Sequence, residues 1–388
     1  MARPSLCCLE NTWGSQYMIL AIHSFMMRRL LTIVPLLLRA NAVPLANPNV
    51  QGVSDFPDIL HDILPGLLDP GSGPGSDSHS EIVPPILGYT LTWHDEFSSS
   101  SQSSSDSDSG HLPSSSVWLF DTGTSYPGGA PAWGNNELQS YTTSPRNIRI
   151  TPQNTLQIIP RFSGNNGTGE EGQWTSARIE TRTTSFAAAS GGKLYIESRL
   201  RTGCAPSSQQ KGIWPAFWAL GESFRGNPTN WPMASEWDIM EVINGEPTVY
   251  NTLHCGVDSN EGGPCNEYNG LGNSGVSWSG CDWHVVGLEV DRSGASLLGA
   301  GSGEGEGWQE ETLTWFLDGE QVHRVSGADV GHETVWRTIA HKGHFLLLNV
   351  AVGGNWPGYP DENTVDGEEV AMEVDYVRVW NADGVDLL

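Results

Sequence analysis

Residues 231–244 read WPMASEWDIMEVIN and carry three carboxylates, Glu236, Asp238 and Glu241, on an otherwise apolar segment. We interpret residues 236–243 as a β-strand, in which Glu236 and Asp238 share one face and Glu241 has the opposite parity. A one-residue bulge at Ile239-Met240 returns Glu241 to the face of the other two. Because like charges on one face repel each other, at least one of these acids is expected to have a raised pKa.

Two carboxylates with different pKa values are what retaining glycoside hydrolysis requires. With the bulge, the Cα atoms of Glu236 and Glu241 lie about 13 Å apart, whereas a retaining pair needs carboxyl groups about 5–5.5 Å apart. Two glutamate side chains that lean toward each other on a concave sheet can close that gap. The strand therefore predicts a catalytic pair on a curved sheet. A solvated acidic face and a calcium site are the alternatives.

The rest of the sequence reads as many short strands joined by turns. We predict an Asp-Gly hairpin turn at Asp318-Gly319, inserted surface loops at residues 98–116 and 299–311, and no amphipathic helix. Regularly spaced strands with turn signals indicate an all-β sandwich or barrel, here one large sandwich of two curved sheets. The predicted strands include residues 156–160, 193–200, 213–220, 236–243, 283–290, 345–350 and 372–380.

The amino-acid composition limits the classes of partner that the protein is expected to bind. Acidic residues outnumber basic ones by 45 to 19, for a formal net charge of −26. That balance argues against nucleic-acid binding, which needs a basic surface, and against docking on anionic lipid. The 16 tryptophans and 46 glycines are typical of an extracellular all-β protein. We expect a monomer that binds neither nucleic acid nor a membrane.

The N-terminal region has the pattern of a secretory leader. An apolar run at residues 30–38 follows Arg28-Arg29 and precedes Ala40-Asn41-Ala42, an A-x-A cleavage pattern. We predict a leader at residues 1–42, with Met26 or Met27 as the working start. A disordered linker or pro-segment at 43–86 and a catalytic domain at 87–388 follow. The alternative is a short membrane anchor, although the apolar run is too short to span a bilayer.

Four cysteines remain in the predicted mature chain, which indicates two disulfides with three formal pairings. Spacing favours Cys255–Cys265 around a short loop and Cys204–Cys281 around a long one. Zinc ligation is the alternative, but neither C-x-x-C nor H-x-x-x-H spacing supports it. Asn166-Gly167-Thr168 is a predicted N-glycosylation site.

Aromatic and amide side chains cluster in sequence around the acidic strand. Trp214 and Trp218 fall on one face of a predicted strand with Ala216 between them. Such tryptophans beside polar amides suggest platforms on which sugar rings stack, with a core role as the alternative for each. The other candidates are Trp133, Trp231 and Trp356 as platforms and Asn135, Asn136, Glu137 and Gln139 as partners of sugar hydroxyls.

Three further side chains have proposed supporting roles. Glu197 and Arg199 share a strand face, and we interpret them as an ion pair that either supports the site or is purely structural. His254 follows the acidic strand and is expected to orient a carboxylate, with a structural histidine as the alternative.

At this point the sequence resembles glycoside hydrolase family 16, in its laminarinase-like, endo-1,3-β-glucanase branch. The matching pieces occur in the family's order and span residues 89–380. They are Trp93-His-Asp95-Glu96-Phe97, Trp133-Gly-Asn-Asn-Glu137, Thr175-Ser-Ala-Arg178-Ile179, Gly212-Ile-Trp-Pro-Ala-Phe-Trp218, Glu236-Trp-Asp-Ile-Met-Glu241, Asn349-Val-Ala-Val-Gly-Gly-Asn-Trp-Pro-Gly358 and Val374-Asp-Tyr-Val-Arg-Val-Trp380.

The resemblance implies a β-jelly roll of two curved antiparallel sheets with an open substrate cleft, a concanavalin A-like sandwich. It implies Glu236 as nucleophile, Asp238 as the residue that tunes and orients the acids, and Glu241 as acid/base. Arg178 enters the substrate site through its motif. No cofactor is implied beyond a structural calcium in some members, for which Glu96 and Asp375 match the region.

Two residues of the acidic motif depart from the family pattern: Trp237 replaces an aliphatic residue and Ser235 a glycine. The resemblance implies a secreted endo-hydrolase of β-1,3-glucan, with mixed 1,3/1,4-glucan as a further substrate. A cell-wall glucan transglycosylase and a non-catalytic β-glucan-binding protein on the same fold are the alternatives. The second alternative is disfavoured because both glutamates are retained.

Overall fold

The computed structural model describes residues 83–98, 111–164, 172–258, 262–294 and 307–383. The predicted leader and nearly all of the predicted linker precede these residues. The glycosylation site at Asn166 and most of both inserted loops also lie outside them. No helix in the described ranges is long and apolar enough to cross a membrane.

Short strands dominate the described chain, as predicted. Numbered in chain order, the strands are β1 (Thr90–Asp95), β2 (Trp118–Asp121), β3 (Ser140–Tyr141), β4 (Ile148–Ile150), β5 (Leu156–Ile158), β6 (Arg161–Ser163), β7 (Gln173–Ser176), β8 (Arg178–Thr181), β9 (Lys193–Arg201), β10 (Ile213–Gly221), β11 (Glu236–Glu241), β12 (Thr248–His254), β13 (Leu271–Gly272), β14 (Val276–Ser277), β15 (His284–Asp291), β16 (Thr312–Leu317), β17 (Glu320–Ser326), β18 (His344–Val352) and β19 (Met372–Ala382). The α-helices are α1 (Ser223–Gly226), α2 (Gly327–Val330) and α3 (Glu333–Ala340), and short 3-10 turns lie at Pro131–Gly134, Ser207–Gln209, Trp308–Glu310 and Glu368–Val370.

Two antiparallel eight-stranded sheets form the sandwich. The first has the order β17-β16-β15-β9-β19-β5-β4, with β1 paired to β19. The second has the order β13-β12-β11-β10-β18-β8-β2, with β14 paired to β12. A third, small sheet with the order β3-β7-β6 was not predicted, and its β3–β7 pair is parallel. The acidic strand β11 therefore lies inside the second sheet, between β10 and β12.

The core lies between the two large sheets. Strand β9 alternates strictly between partly exposed and buried residues, as a strand with one face on a core does. Strand β18 is buried along its whole length. The Trp315 indole on β16 donates to the carbonyl oxygen of Asp238 on β11 over 2.9 Å, which fixes the acidic strand against the opposite sheet.

Local predictions had mixed outcomes. The hairpin between β16 and β17 turns at Asp318-Gly319, both with positive φ, as an Asp-Gly turn requires. Both favoured disulfides, Cys204–Cys281 and Cys255–Cys265, are present. The expectation of no amphipathic helix is wrong, because α3 buries Val335, Trp336, Ile339 and Ala340. At eight residues it spans about two turns, so its apolar period repeats only once.

Candidate active site

The predicted bulge in β11 is present. On one side of the strand, Glu241 pairs with Ala216, Met240 with Phe217 and Asp238 with Trp218, so Ile239 is the extra residue. The register with β12 shifts over the same interval. Ile239 and Met240 are fully buried in the core. The bulge therefore turns two successive side chains inward and leaves Glu236, Asp238 and Glu241 together on the outer face.

Glu241 lies under a tryptophan of the neighbouring strand. The Trp214 indole donates to its Oε1 over 3.0 Å. Burial raises the pKa of Glu241, and the charge of Glu236 raises it further, while His254 and the Trp214 bond lower it. The net result is a pKa of about 7. Glu241 thus keeps its proton up to near-neutral pH, as a residue that acts as a general acid must.

Glu236, at the start of the strand, is partly buried. The Trp231 indole donates to its Oε2 over 3.2 Å. Burial raises the pKa of Glu236 above its usual range, although the positive charges of His254 and Arg178 lower it in part. The two glutamates therefore have different partners and different electrostatic surroundings.

Asp238, between the glutamates, is 3% exposed, and its Oδ2 has no hydrogen bond among the described residues. Burial, followed by the charges of Glu241 and Glu236, raises its pKa well above the usual range. Asp238 therefore favours its protonated form, and the repulsion that raises the pKa of Glu241 comes from Glu236.

His254 lies on β12 beside the acids. One polar atom each from Glu236, Asp238 and His254 lies within 4.8 Å of the other two. The His254 ring packs on Trp231, with centroids 5.6 Å apart, and its Nδ1 lies 2.7 Å from Oε2 of Glu267. Glu267 was not singled out in the sequence, because a single glutamate in a loop carries no periodic or motif signal.

Aromatic rings line the face on both sides of the acids. Trp356 is 43% exposed and meets Trp214 and Tyr250 edge-on, with centroids 5.5 and 5.1 Å away. Near Glu236, the 60% exposed Tyr268 lies nearly parallel to Trp231, with centroids 5.9 Å apart. Trp214 and Trp231 therefore each contact a catalytic candidate and a more exposed ring.

Arg178 lies on the same sheet face as Glu241, because Arg178, Asn349, Ala216 and Glu241 are successive cross-strand partners, but its side chain is buried. It is 5% exposed, and its Nε is 2.9 Å from Oδ2 of Asp121. Its guanidinium lies 4.7–5.0 Å from the ring centres of Tyr126, Trp133 and Trp218. Arg178 therefore supports the aromatic floor and lowers the pKa of Glu236 through its charge.

The four residues predicted to bind sugar hydroxyls, Asn135, Asn136, Glu137 and Gln139, differ in how deeply they are buried. Gln139 is fully buried, donates to Glu137 over 2.6 Å and accepts from the Val352 N–H. Glu137 also accepts from Asn135. Glu137 and Gln139 thus tie their segment to β18 and are not surface partners for a sugar, contrary to expectation. Asn135 is partly exposed, and the exposed Asn136 donates to Asn355 over 2.8 Å.

The predicted Glu197–Arg199 ion pair is wrong. Both residues lie on β9 in the other large sheet, where Glu197 accepts from Tyr195 and Tyr376, and Arg199 pairs with Asp375 at 2.7 Å. Arg199 instead pairs with Asp375 on the adjacent strand β19, which also provides the Tyr376 hydroxyl that donates to Glu197 over 2.8 Å.

The region suggested for calcium is occupied by ion pairs. Arg378 donates to both carboxylate oxygens of Glu96, and Arg199 engages Asp375. Calcium takes six to eight oxygen ligands, and two carboxylates already neutralised by arginines do not fit that requirement.

Comparisons with known proteins agree on one group of enzymes. No protein-family model matches the chain. A β-glucanase of Rhodothermus marinus is 29% identical over 303 residues, which cover 75% of this chain and 85% of that protein. A glucan endo-1,3-β-glucosidase of Cryptopygus antarcticus is 28% identical, over 75% of this chain and 92% of that protein. The solved endo-1,3-β-glucanase of Streptomyces sioyaensis is 36% identical, with a TM-score of 0.66 over 78% of this chain and 99% of that one.

Proposed function

Because the chain belongs to the laminarinase-type endo-1,3-β-glucanases of glycoside hydrolase family 16 and hydrolyses β-glucan, we propose that it is a secreted enzyme that cleaves β-1,3-glucan. We further propose that it is a retaining enzyme, which works by double displacement. The bulge in β11, which brings Glu236 and Glu241 to one face in different surroundings, is the observation that carries this proposal.

In the first step Glu236 attacks the anomeric carbon while Glu241 donates its proton to the departing glycosidic oxygen. The sugar is then held as an ester on Glu236. In the second step Glu241, now a carboxylate, takes a proton from water, which attacks the same carbon and releases Glu236. The raised pKa of Glu241, about 7, supports its role as the acid of the first step.

Asp238 and the aromatic rings have supporting roles in this proposal. As a buried neutral acid, Asp238 can donate a hydrogen bond to a neighbouring carboxylate when negative charge is regenerated there. Trp356 and the Trp231–Tyr268 pair provide apolar faces for glucosyl rings on either side of the acids.

Secretion is supported by the leader pattern before Val43 and by the two disulfides, which form in oxidising compartments. We expect N-terminal sequencing of secreted material to begin at or near Val43. An intact leader on a cytosolic product would contradict secretion.

Incubation with laminarin, lichenan and carboxymethyl cellulose, followed by product analysis, tests the activity. We expect oligosaccharides from laminarin, little or nothing from carboxymethyl cellulose, and no products from a Glu236→Ala control. Activity on lichenan decides whether mixed-linkage glucan is a substrate. Products longer than an added laminari-oligosaccharide would instead favour the transglycosylase, and binding without cleavage the non-catalytic protein.

A further inference from the structure

A buried carboxylate behind the catalytic face has no role in the proposed reaction. Glu267 lies in the segment that follows Cys265, whose disulfide to Cys255 closes the loop after β12. It is 2% exposed. Its Oε1 accepts the Cys255 N–H over 2.9 Å, and its Oε2 lies 2.7 Å from Nδ1 of His254.

We propose that Glu267 is a positioning residue that keeps His254 protonated, with its Nε2–H toward the catalytic carboxylates, and thereby sets the pH range in which they work. The inference rests on the proposed function, because it treats Glu236 and Glu241 as the reacting pair.

In the proposed arrangement Nδ1 of His254 carries a proton and donates it to Oε2 of Glu267, because a carboxylate oxygen accepts hydrogen bonds. The other ring nitrogen, Nε2, lies 3.5 Å from Oδ2 of Asp238. The ring cannot turn away freely, because it packs against Trp231, which itself donates to Glu236. Glu267, His254 and the acids thus form a continuous chain of polar contacts from the disulfide-closed loop to the catalytic strand.

The titratable groups that face His254 are mostly carboxyl groups. Glu236, Asp238 and Glu241 face it from β11, and Glu267 from the loop. Arg178 from β8 acts on Glu236. Burial alone would lower the pKa of His254, but the hydrogen bond to Glu267 and the charges of Glu236 and Glu241 outweigh burial and raise it. The resulting imidazolium lowers the pKa values of both catalytic glutamates.

Glu267→Gln tests this role with little change in shape. The glutamine Oε1 can still accept the Cys255 N–H, while its amide group donates to Nδ1. His254 is then left neutral, with its proton on Nε2. Glu241 then loses the positive charge of His254, so its pKa rises. Glu236 loses that positive charge and also the negative charge of Glu267. Because His254 has the larger effect on the pKa of Glu236, that pKa rises as well. Both limbs of the kcat/KM pH profile should therefore move to higher pH, by about 0.5–1 unit.

A second measurement needs no substrate. Nitrogen NMR of His254 in the unliganded protein should show a titration above about pH 6.5 in the wild type and a lower one in Glu267→Gln. Glu267→Asp, which keeps the charge, should retain more of the wild-type titration. Because this readout is independent of turnover, it separates failure of this inference from failure of the glucanase assignment.

The double variant separates action through His254 from a structural effect. In a His254→Gln background, Glu267→Gln should leave the alkaline limb, which reports Glu241, within about 0.2 pH unit of the single variant. The acid limb should move to lower pH, because only the direct charge of Glu267 on Glu236 is then removed. Equal shifts with and without His254 would overturn the proposal, as would an unchanged His254 titration in Glu267→Gln. If Glu267→Gln fails to fold, titration of wild-type His254 below about pH 6.5 is by itself enough to overturn the proposal.

Discussion

Trp214 donates its indole N–H to Oε1 of Glu241 over 3.0 Å from the adjacent strand β10. This bond stabilises the carboxylate form of Glu241, while burial and Glu236 favour the protonated form. The pKa of about 7 is thus the balance between a buried position and two partners that favour ionisation. A tryptophan predicted as a sugar platform is therefore also part of the acid–base apparatus.

Replacement of Trp214 by Phe should move the alkaline limb of the pH profile upward. Glu241 must be protonated to act as acid, so activity falls as pH rises through its pKa. Without the indole donor that pKa rises, by about 1–2 units for a hydrogen bond to a charged group. Trp218→Phe is the matched control, because Trp218 donates to Asn349 and not to a carboxylate. Equal shifts in both variants would argue against the role of the Trp214 bond.

The two glutamates should respond differently to truncation. Glu236→Ala should abolish turnover, and azide should restore part of it with an inverted product, because the anion enters the space left by the nucleophile. Glu241→Ala should impair cleavage of polysaccharide far more than that of an aryl glucoside with an activated leaving group, which needs no protonation. Equal, mild losses of activity from both changes would favour the alternative in which the three acids form a solvated acidic face.

Tyr268 should contribute to substrate binding rather than to chemistry. Its exposed ring lies nearly parallel to Trp231, beside Glu236. Tyr268→Ala should raise KM for laminarin by about 2- to 10-fold, the range expected for one aromatic stacking contact, with kcat little changed. Phe162→Ala, a similarly exposed ring on β6 of the third sheet, is the control. An unchanged KM for Tyr268→Ala would remove this residue from the binding site.

Trp237 and Ser235, the two departures from the family pattern, meet at His344. The Trp237 ring stacks on His344 with centroids 3.5 Å apart, and His344 Nε2 lies 3.3 Å from the Ser235 hydroxyl. Ser235 has a φ of 71°, the left-handed region that favours glycine. Ser235 therefore adopts a backbone conformation that favours glycine, while its hydroxyl contacts His344.

His344 should make the free energy of unfolding depend on pH. Burial lowers its pKa to about 3, whereas an unfolded histidine titrates near 6.5. The unfolded chain then binds the extra proton, so this contribution is complete above about pH 6.5 and is lost as pH falls toward 3. Between pH 6.5 and 5 the loss is about 2 kcal/mol. Urea unfolding should show a correspondingly smaller loss in His344→Gln, and equal pH dependence in both proteins would refute this assignment.

The sequence was sufficient for features that depend on local pattern. Strand parity together with three acids predicted the bulge at Ile239, and cysteine spacing predicted both disulfides. The shared face of Trp214 and Trp218 followed from their separation by four positions in a strand. In each of these cases the spacing along the chain determines the geometry.

Features that depend on contacts between distant segments were missed. The packing of Arg178 against the rings of Tyr126, Trp133 and Trp218 could not be predicted from its motif, because these rings come from separate segments. Glu267 follows His254 by 13 positions in the sequence, and strand pattern alone does not show that their side chains meet. The raised pKa of Asp238 depends mainly on its burial in the folded sheet, which the sequence pattern does not show.

The stereochemistry of cleavage tests the central claim most directly. The bulge aligns Glu236 and Glu241 on one face, which we interpret as leaving no room for a water molecule between base and sugar. Proton NMR during the first minutes of laminarin cleavage should show new β-anomeric reducing ends, with the α anomer growing only at the rate of mutarotation. Immediate α product would contradict the account, because it would require direct attack by water and would remove Glu236 as nucleophile.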